Sequence, residues 1–279
     1  MPEVFHLPGP LPDHFPLRTA IRCARLVEAV YEFYQQWSDA GKPPESKMVF
    51  TPVRAGRSTL VFSEPFWRTL TYRKPVRSGA KTSAGRRFHE VVEHTPAGAC
   101  AVQGKRIFIV FRGTLGTAEK ITNLMVSRRD AVFDDLEAGG VHRGFHQCYA
   151  TVREPIMKFL RDHIGPDKTV RAVGYSLGGA LAFLAAMDVA TCGLTCRRLE
   201  VFTFGGPRVG SRKWARHYDR QRSVSWRIAN RNDPVTKVPP ALFGYRHAGI
   251  PILVDSRRDA LAHNLARSYL PPLLAARHA

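Results

Sequence analysis

Hydrophobic and polar positions follow different periods along the chain, and the changes of period mark the predicted elements. Residues 17 to 40 carry apolar side chains at helical spacing, so we expect a helix that ends at the Gly-Lys-Pro-Pro run of 41–44. Residues 45 to 86 contain short extended pieces broken by Pro and Gly, and their pattern favours no single element. The Pro-rich residues 1 to 16 are typical of a flexible lead.

From residue 87 onward, short apolar runs alternate with segments of helical spacing. The runs are rich in β-branched and aromatic residues, which predicts strands at 88–93, 106–111, 169–175, 199–204 and 223–228, with one or two more at 245–254. We expect helices at 145–164 (interrupted or restarted at Pro155), 177–189, 211–220 and from 264 to a break at Pro271-Pro272. Strand alternating with helix indicates an α/β fold with a mostly parallel central sheet and helices on both faces.

The same pattern divides the chain at about residue 86. We expect residues 1–86 to form an N-terminal extension, with its helix at about 17–40, that packs on or is appended to the core. Residues 87–279 then form the main domain. A chain of 279 residues with 44% hydrophobic residues is long enough to bury one substantial core.

A glycine-flanked serine is the first feature that indicates chemistry. Ser176 lies in the turn from Gly174 to Gly178, directly after a predicted buried strand and directly before a predicted helix. A strand-to-helix turn this sharp exposes a serine hydroxyl above a sheet, and it brings strand and helix so close that only glycine fits at the two flanking positions. The context therefore predicts a nucleophile elbow.

A serine nucleophile needs a base and a carboxylate that orients the base, in the chain order Ser, acid, His in the α/β-hydrolase arrangement. Asp233 fits the acid because it follows the strand predicted at 223–228. Of the other carboxylates that follow the serine, Asp219 lies in a predicted helix, and Asp255 and Asp259 lie in a more polar segment. Two histidines compete for the base, His247 and His263, and the position of His263 before the last helix favours it.

Composition adds one unusual property, which is charge. The chain has 42 Lys and Arg against 23 Asp and Glu, a formal net charge of +19. Such a field favours anionic partners such as acidic lipid surfaces. The basic residues are scattered and form no recognition motif, so we expect no nucleic-acid partner. Five cysteines indicate no disulfide framework, and Cys192 and Cys196 are interpreted as a helix-end and a loop cysteine.

Several sequence blocks, taken in order, resemble the class 3 lipase family, the α/β-hydrolases that include fungal triacylglycerol lipases and plant acylhydrolases. The resemblance covers about residues 87 to 270. It depends on the segments Ile107–Thr114 (IFIVFRGT), Val141–Phe145 (VHRGF), Gly174–Gly179 (GYSLGG), Thr203–Gly210 (TFGGPRVG), Asn230–Val235 (NRNDPV) and His263–Tyr269 (HNLARSY).

The resemblance implies Ser176 as nucleophile, Asp233 as acid and His263 as base, and it assigns His247 to a non-catalytic block. It also implies an oxyanion hole, whose two required donors are the N–H groups of Leu177 and Thr114. The family places a mobile lid after Thr114. The stretch 116–133 carries apolar residues at helical spacing, which fits either a lid helix or an ordinary packed surface helix.

The sequence thus predicts a carboxylic ester hydrolase that cleaves acylglycerol or related lipid esters through an acyl-enzyme, with no metal or organic cofactor. One alternative is a phospholipase A1-type hydrolase on anionic membranes, favoured by the charge. Another is a non-catalytic lipid- or partner-binding protein on a hydrolase scaffold. We see no signal peptide, so a cytoplasmic place or export by a route not readable from the sequence is expected.

Overall fold

The computed structural model describes residues 11–55, 60–75, 88–114, 130–132, 139–221, 223–257, 259 and 261–277. Within these ranges the α-helices, labelled α1 to α5, are Leu17–Asp39, Arg143–His163, Leu177–Thr191, Arg212–Asp219 and Leu270–Ala275. The strands, labelled β1 to β13, are Val53–Arg54, Val61–Phe62, Pro65–Pro75, Phe88–Gln103, Arg106–Phe111, Asp130–Val132, Gly140–His142, Thr169–Tyr175, Arg198–Phe204, Gly210–Ser211, Ser223–Asn230, Tyr245–Arg246 and Ile250–Val254.

Seven of these strands form the central sheet, in the order β13-β11-β9-β8-β5-β4-β3. Five of its strands are parallel to one another, namely β5, β8, β9, β11 and β13. Strands β4 and β3 continue the sheet in antiparallel pairing. The prediction of a mostly parallel sheet is therefore confirmed. Smaller sheets pair β1 with β2, and β12, β10, β7 and β6 with one another.

Alternate side chains of each parallel strand point to opposite faces of the sheet, and each face has its own core. In β5, Ile107 and Ile109 pack with α2, α3 and α4, whereas Phe108 and Val110 pack with α1 and α5. Both faces of the sheet are thus covered by helices, which explains why β5 reads as an unbroken apolar run.

Several predicted elements differ from the observed ones, and each difference has a local reason. Helix α2 runs through Pro155 without a break, since buried side chains before and after the proline hold both halves against the sheet. The break predicted at Pro271-Pro272 is wrong, because the prolines lie in the first turn of α5, where a missing N–H costs no hydrogen bond. The 245–254 segment forms two strands that belong to different sheets.

Residues before position 87 contribute directly to this architecture. The unassigned region 45–86 contains β3, an eleven-residue strand that pairs with β4 at one edge of the central sheet. Helix α1 packs across β4, β5 and β8. Its buried side chains, among them Ala20, Val27 and Phe33, form part of the core on that face.

The parallel strands all end at the same edge of the sheet, and the predicted site residues lie there. Thr114 follows β5, Ser176 follows β8, Asp233 follows β11 and His263 follows β13. Ligands of open α/β sheets bind outside the carboxyl ends of the strands. The fold therefore places these four residues where such a site is expected.

Candidate active site

Ser176 occupies a strained turn between β8 and α3. Its backbone has φ 57° and ψ −126°, and among the described non-glycine residues only Lys42 shares a positive φ. A non-glycine residue in this region costs on the order of 1–3 kcal/mol and persists where the surrounding structure enforces it. The turn lifts the serine hydroxyl out of the path of the strand, while the residue remains 1% exposed.

Two glycines make this turn possible, for the reason the sequence suggested. A Cβ on Gly174 would lie 2.0 Å from the carbonyl oxygen of Gly178. A Cβ on Gly178 would lie 2.6 Å from the carbonyl oxygens of both Phe111 and Arg112, at the end of β5. The start of α3 therefore contacts both the end of β8 and the end of β5 through backbone atoms.

The structure brings Ser176, His263 and Asp233 together in a continuous hydrogen-bonded line. The Ser176 Oγ lies 2.8 Å from His263 Nε2, and His263 Nδ1 lies 2.6 Å from Asp233 Oδ2. Asp233 is completely buried, and the His263 side chain is 15% exposed. This is the arrangement in which an imidazole removes a proton from a hydroxyl while a carboxylate holds its tautomer.

Tyr269 is a site residue that the sequence analysis did not identify. Its hydroxyl donates to Asp233 Oδ2, the same oxygen that accepts from His263, while the Val235 N–H donates to Asp233 Oδ1 at 2.8 Å. Burial, followed by the nearby Asp233 charge, raises the pKa of Tyr269 well above its usual range, so the phenol remains a donor. Tyr269 closes the His263–Tyr269 block, which was its only sequence signal.

The imidazole of His263 is held in place by a stacked ring and by hydrogen bonds to the backbone around it. The ring of Tyr175 stacks against it, with centroids 5.0 Å apart, and the Tyr175 hydroxyl donates to the His263 carbonyl oxygen. The Asn230 side-chain amide donates to the carbonyl oxygen of the preceding Ala262 at 2.9 Å. Tyr175 is the second residue of the glycine-flanked turn, so the segment that carries Ser176 also positions His263.

The competing histidine and carboxylates bond elsewhere. The His247 Nε2 lies 2.7 Å from the Thr236 carbonyl oxygen, and burial, followed by the Arg227 charge, lowers the pKa of His247 to about 3. Asp219 accepts from the Gly249 N–H, Asp255 accepts from an asparagine amide, and Asp259 pairs with a neighbouring arginine. These observations favour His263 and Asp233 among the alternatives that the sequence left open.

The two expected oxyanion donors border the serine. Gly113, which precedes Thr114, packs so closely that a Cβ on it would lie 3.1 Å from the Ser176 Cβ. Leu177 is the first residue of α3, and its N–H therefore has no acceptor within the helix. The Thr114 Oγ1 is buried without a hydrogen-bond partner in the described part of the chain. Free donors at this place suit a negative oxygen.

The expected lid falls mostly outside the described residues. Of the stretch 116–133, the structure describes 130–132, which form β6 and pair with β7 rather than continue a helix. The helical pattern at 121–125 is not among the described residues. Within the described ranges there is no group of three or more His, Cys, Asp or Glu side chains that could hold a metal, and no helix long and apolar enough to span a membrane.

Known proteins resemble this chain over its central half. Residues 108–243 match the model of the family described as Lipase (class 3). A Rhizopus niveus protein named lipase is 32% identical over 156 residues, which are 54% of this chain and 39% of that protein. A phospholipase A1 of Oryza sativa subsp. indica is 32% identical over 170 residues, 53% of this chain and 39% of that protein. The chain thus matches about two fifths of the length of these curated relatives.

Solved structures agree with the sequence matches. One is a triacylglycerol lipase described as having a serine protease triad as its catalytic centre, at TM-score 0.50 and 30% identity, over 56% of this chain and 60% of the other. The Rhizomucor miehei triacylglyceride lipase superposes with TM-score 0.59 at 19% identity, over 86% of this chain and 81% of the other, which shows a shared fold. With its α/β-hydrolase fold and these matches, the chain is similar to the class 3 lipase family over about half of its length.

Proposed function

We propose that the protein is a serine carboxylic ester hydrolase that cleaves acylglycerol or related lipid esters. The observation that carries the proposal is the hydrogen-bonded line from Ser176 through His263 to Asp233 at the carboxyl ends of the parallel strands. Relatives named lipase and mono- and diacylglycerol lipase support lipid esters as the substrate class.

In the proposed reaction, the Ser176 Oγ attacks the ester carbonyl carbon while His263 Nε2 takes the hydroxyl proton. Asp233 holds the proton on His263 Nδ1 and stabilises the imidazolium that forms. The carbonyl oxygen becomes an oxyanion, which accepts hydrogen bonds from the N–H groups of Thr114 and Leu177. His263 then returns its proton to the leaving alcohol, the C–O bond breaks, and an acyl-enzyme remains.

Water completes the cycle by the same route. His263 removes a proton from a water molecule, whose oxygen attacks the acyl carbonyl, and the tetrahedral intermediate collapses to release the fatty acid. The Ser176 Oγ takes back the proton from His263. Every proton moves between His263 and an oxygen, so the proposed chemistry needs no metal or organic cofactor.

A second candidate, phospholipase A1-type hydrolysis on anionic membranes, is favoured by charge. The formal net charge is +19, and a matched plant relative is named phospholipase A1. On the loop that follows Asp233, Leu242 is 91% exposed and Phe243 is 58% exposed, with the exposed basic residues Lys237 and Arg246 nearby in sequence. An apolar tip beside basic residues suits an acidic lipid surface.

The test is product release from acidic phospholipid vesicles and from neutral triglyceride emulsions, each across a salt series, with Ser176→Ala as control. Hydrolysis of either substrate that disappears in the variant supports the esterase. A preference for acidic vesicles that weakens with salt supports the second candidate, and turnover indifferent to lipid charge and salt removes it. If the protein hydrolyses neither the phospholipid vesicles nor the triglyceride emulsions, the result favours a non-catalytic binding protein on this scaffold.

A further inference from the structure

Two arginine side chains are buried side by side behind the proposed oxyanion hole. Arg68, from β3, and Arg112, directly after β5, are each 1% exposed. Both guanidinium groups donate hydrogen bonds to uncharged oxygens, and the charge of the nearby Glu93 also acts on Arg112. Two adjacent buried cations are unusual, because each charge loses its hydration and the two charges repel each other.

The two guanidinium groups converge on one peptide unit, the one that joins Gly113 to Thr114. The Gly113 carbonyl oxygen accepts from Arg68 Nη2 at 3.1 Å and from Arg112 Nη1 at 2.8 Å. Arg68 Nη1 also donates to the Arg112 carbonyl oxygen, one peptide earlier, at 3.3 Å. Arg68 therefore spans two successive carbonyl groups of the loop that carries Thr114.

Because a peptide unit is planar and trans, its C=O and N–H point in opposite directions. We propose that Arg68 is a positioning residue for ester hydrolysis: by holding the Gly113 carbonyl oxygen together with Arg112, it aims the Thr114 N–H at the oxyanion. This inference rests on the proposed function and names a residue outside the span 108–243 that matches the family.

The positive charges also act on the strength of that donor. Hydrogen bonds from a cation to a carbonyl oxygen polarise the whole peptide and make its N–H a stronger donor. Burial, followed by the Arg68 charge, lowers the pKa of Arg112 to about 9, which leaves Arg112 charged at neutral pH. The oxyanion that forms in the transition state therefore meets a preorganised positive field behind the Thr114 N–H.

Packing around the pair restricts its movement. Arg112 donates through Nε to the Pro96 carbonyl oxygen at 2.6 Å and through Nη2 to Thr95 Oγ1 at 2.9 Å. The ring of Tyr34, from α1, lies 4.6 Å from the Arg112 guanidinium carbon. On the other side, Gly113 contacts Ser176. A displacement of the Gly113 carbonyl would thus be transmitted to the oxyanion hole and to the nucleophile.

The test compares Arg68→Met and Arg68→Gln with the wild-type chain, using a soluble nitrophenyl butyrate so that lipid binding plays no part. We expect kcat to fall about 10- to 100-fold with KM changed less than about threefold, since an oxyanion donor acts in the transition state. Affinity for a boronic acid that forms a tetrahedral serine adduct should fall in proportion to kcat, whereas a merely structural role would leave that affinity unchanged.

Added methylguanidinium provides a second readout. A cavity of about 320 Å³ is lined by Arg68, Arg112, Tyr34 and Thr114, so a small guanidinium can enter the space left by Arg68→Ala. We expect millimolar methylguanidinium to restore at least part of kcat in that variant and to leave the wild-type chain unchanged. The matched control is Arg171→Met, which removes a partly buried arginine paired with Glu200 at 2.5 Å and should lower the melting temperature while kcat stays unchanged.

Wild-type kcat in any folded Arg68 variant would overturn the inference, as would a loss confined to KM or to the melting temperature. A kcat loss that methylguanidinium does not reverse would assign Arg68 a purely structural role and would also overturn it. Ser176→Ala, measured in parallel, separates the two levels: if it retains wild-type turnover, the proposed function fails, whatever Arg68 does.

Discussion

At the scale of single residues, the candidate site depends on groups besides Ser176, His263 and Asp233. Asp233 Oδ2 accepts from both His263 and Tyr269, so the phenol shares the carboxylate oxygen that orients the base. Gly205, with φ 59°, leaves room for Tyr269 and Asp233, because a Cβ on it would lie 2.8 Å from the Tyr269 hydroxyl and 2.9 Å from Asp233 Oδ2. The position of the Asp233 carboxylate is therefore fixed by its contacts with His263, Tyr269 and Gly205.

We predict that Tyr269→Phe weakens both stability and catalysis. A hydrogen bond to a buried charge contributes about 1.5–3 kcal/mol, so the free energy of unfolding should fall by about that amount. If about half of it is felt in the transition state, kcat falls about 4- to 13-fold. Urea unfolding and steady-state kinetics measure the two effects. Tyr218→Phe is the control, since its buried hydroxyl bonds to Ser225 Oγ at 2.8 Å, and it should leave kcat unchanged. Equal kcat in Tyr269→Phe and wild type would contradict the role of Tyr269.

The residues that the sequence could indicate are those with a local signature. Ser176 is marked by glycines two positions away, and Asp233 and His263 by chain order and short blocks. Tyr175 and Tyr269 lie inside such blocks and Arg68 lies outside them, but no local signature indicates the role of any of the three, because their contacts join residues that are 88, 36 and 45 positions apart. Only the folded chain brings those partners together.

At the scale of elements, α2 and α3 are joined by a polar cluster inside an otherwise apolar interface. Asp188 of α3 accepts from Tyr149 Oη at 2.9 Å and from Arg153 Nε at 2.7 Å, both on α2. Burial, followed by the Asp188 charge, raises the pKa of Tyr149 well above its usual range. Since α3 begins directly after Ser176, this cluster fixes the helix on which Leu177 presents its N–H.

We predict that Asp188→Asn lowers the free energy of unfolding by about 1–3 kcal/mol, because a buried charge-assisted pair is lost while Arg153 stays half exposed to water. Chemical unfolding of Asp188→Asn, Tyr149→Phe and the double variant forms a cycle. The account expects the double variant to be less destabilised than the sum of the single ones. Strict additivity would mean that the hydroxyl and the carboxylate do not cooperate.

Strand and helix periods predicted the parallel part of the fold well, since β5 and β8 coincide with the predicted ranges. The pattern failed for β3, whose sequence Pro65–Pro75 includes buried Arg68 among its aromatic residues. A buried arginine breaks the apolar alternation by which a strand is recognised. Arg68, the residue that interrupts the strand pattern, is thus the residue that we propose to hold the loop of Thr114.

At the scale of the whole molecule, buried histidines couple stability to pH. His142 is 2% exposed, and burial lowers its pKa to about 4. The unfolded chain binds that proton at an ordinary pKa of about 6.5. Because the unfolded state then binds more protons, the stability present above about pH 6.5 is lost as the pH falls towards about 4, by at most about 3 kcal/mol.

We predict that His142→Phe loses less stability than the wild-type chain between about pH 6.5 and pH 4, with a difference on the order of 2 kcal/mol. The phenyl ring keeps the contact with Phe145, whose centroid lies 4.5 Å from that of His142. Urea unfolding across this pH range measures the difference. His163→Gln, at an exposed position, should follow the wild-type curve. Parallel curves for His142→Phe and wild type would contradict the coupling.

Covalent labelling tests the central claim, that Ser176 is the nucleophile of a triad, most directly. A fluorophosphonate should react once: the Ser176 Oγ attacks phosphorus, fluoride leaves, and His263 accepts the proton. The account predicts a single adduct on the peptide that contains Ser176, loss of ester hydrolysis in step with labelling, and neither reaction in Ser176→Ala. An adduct that persists in Ser176→Ala, or ester turnover there at the wild-type rate, would contradict it.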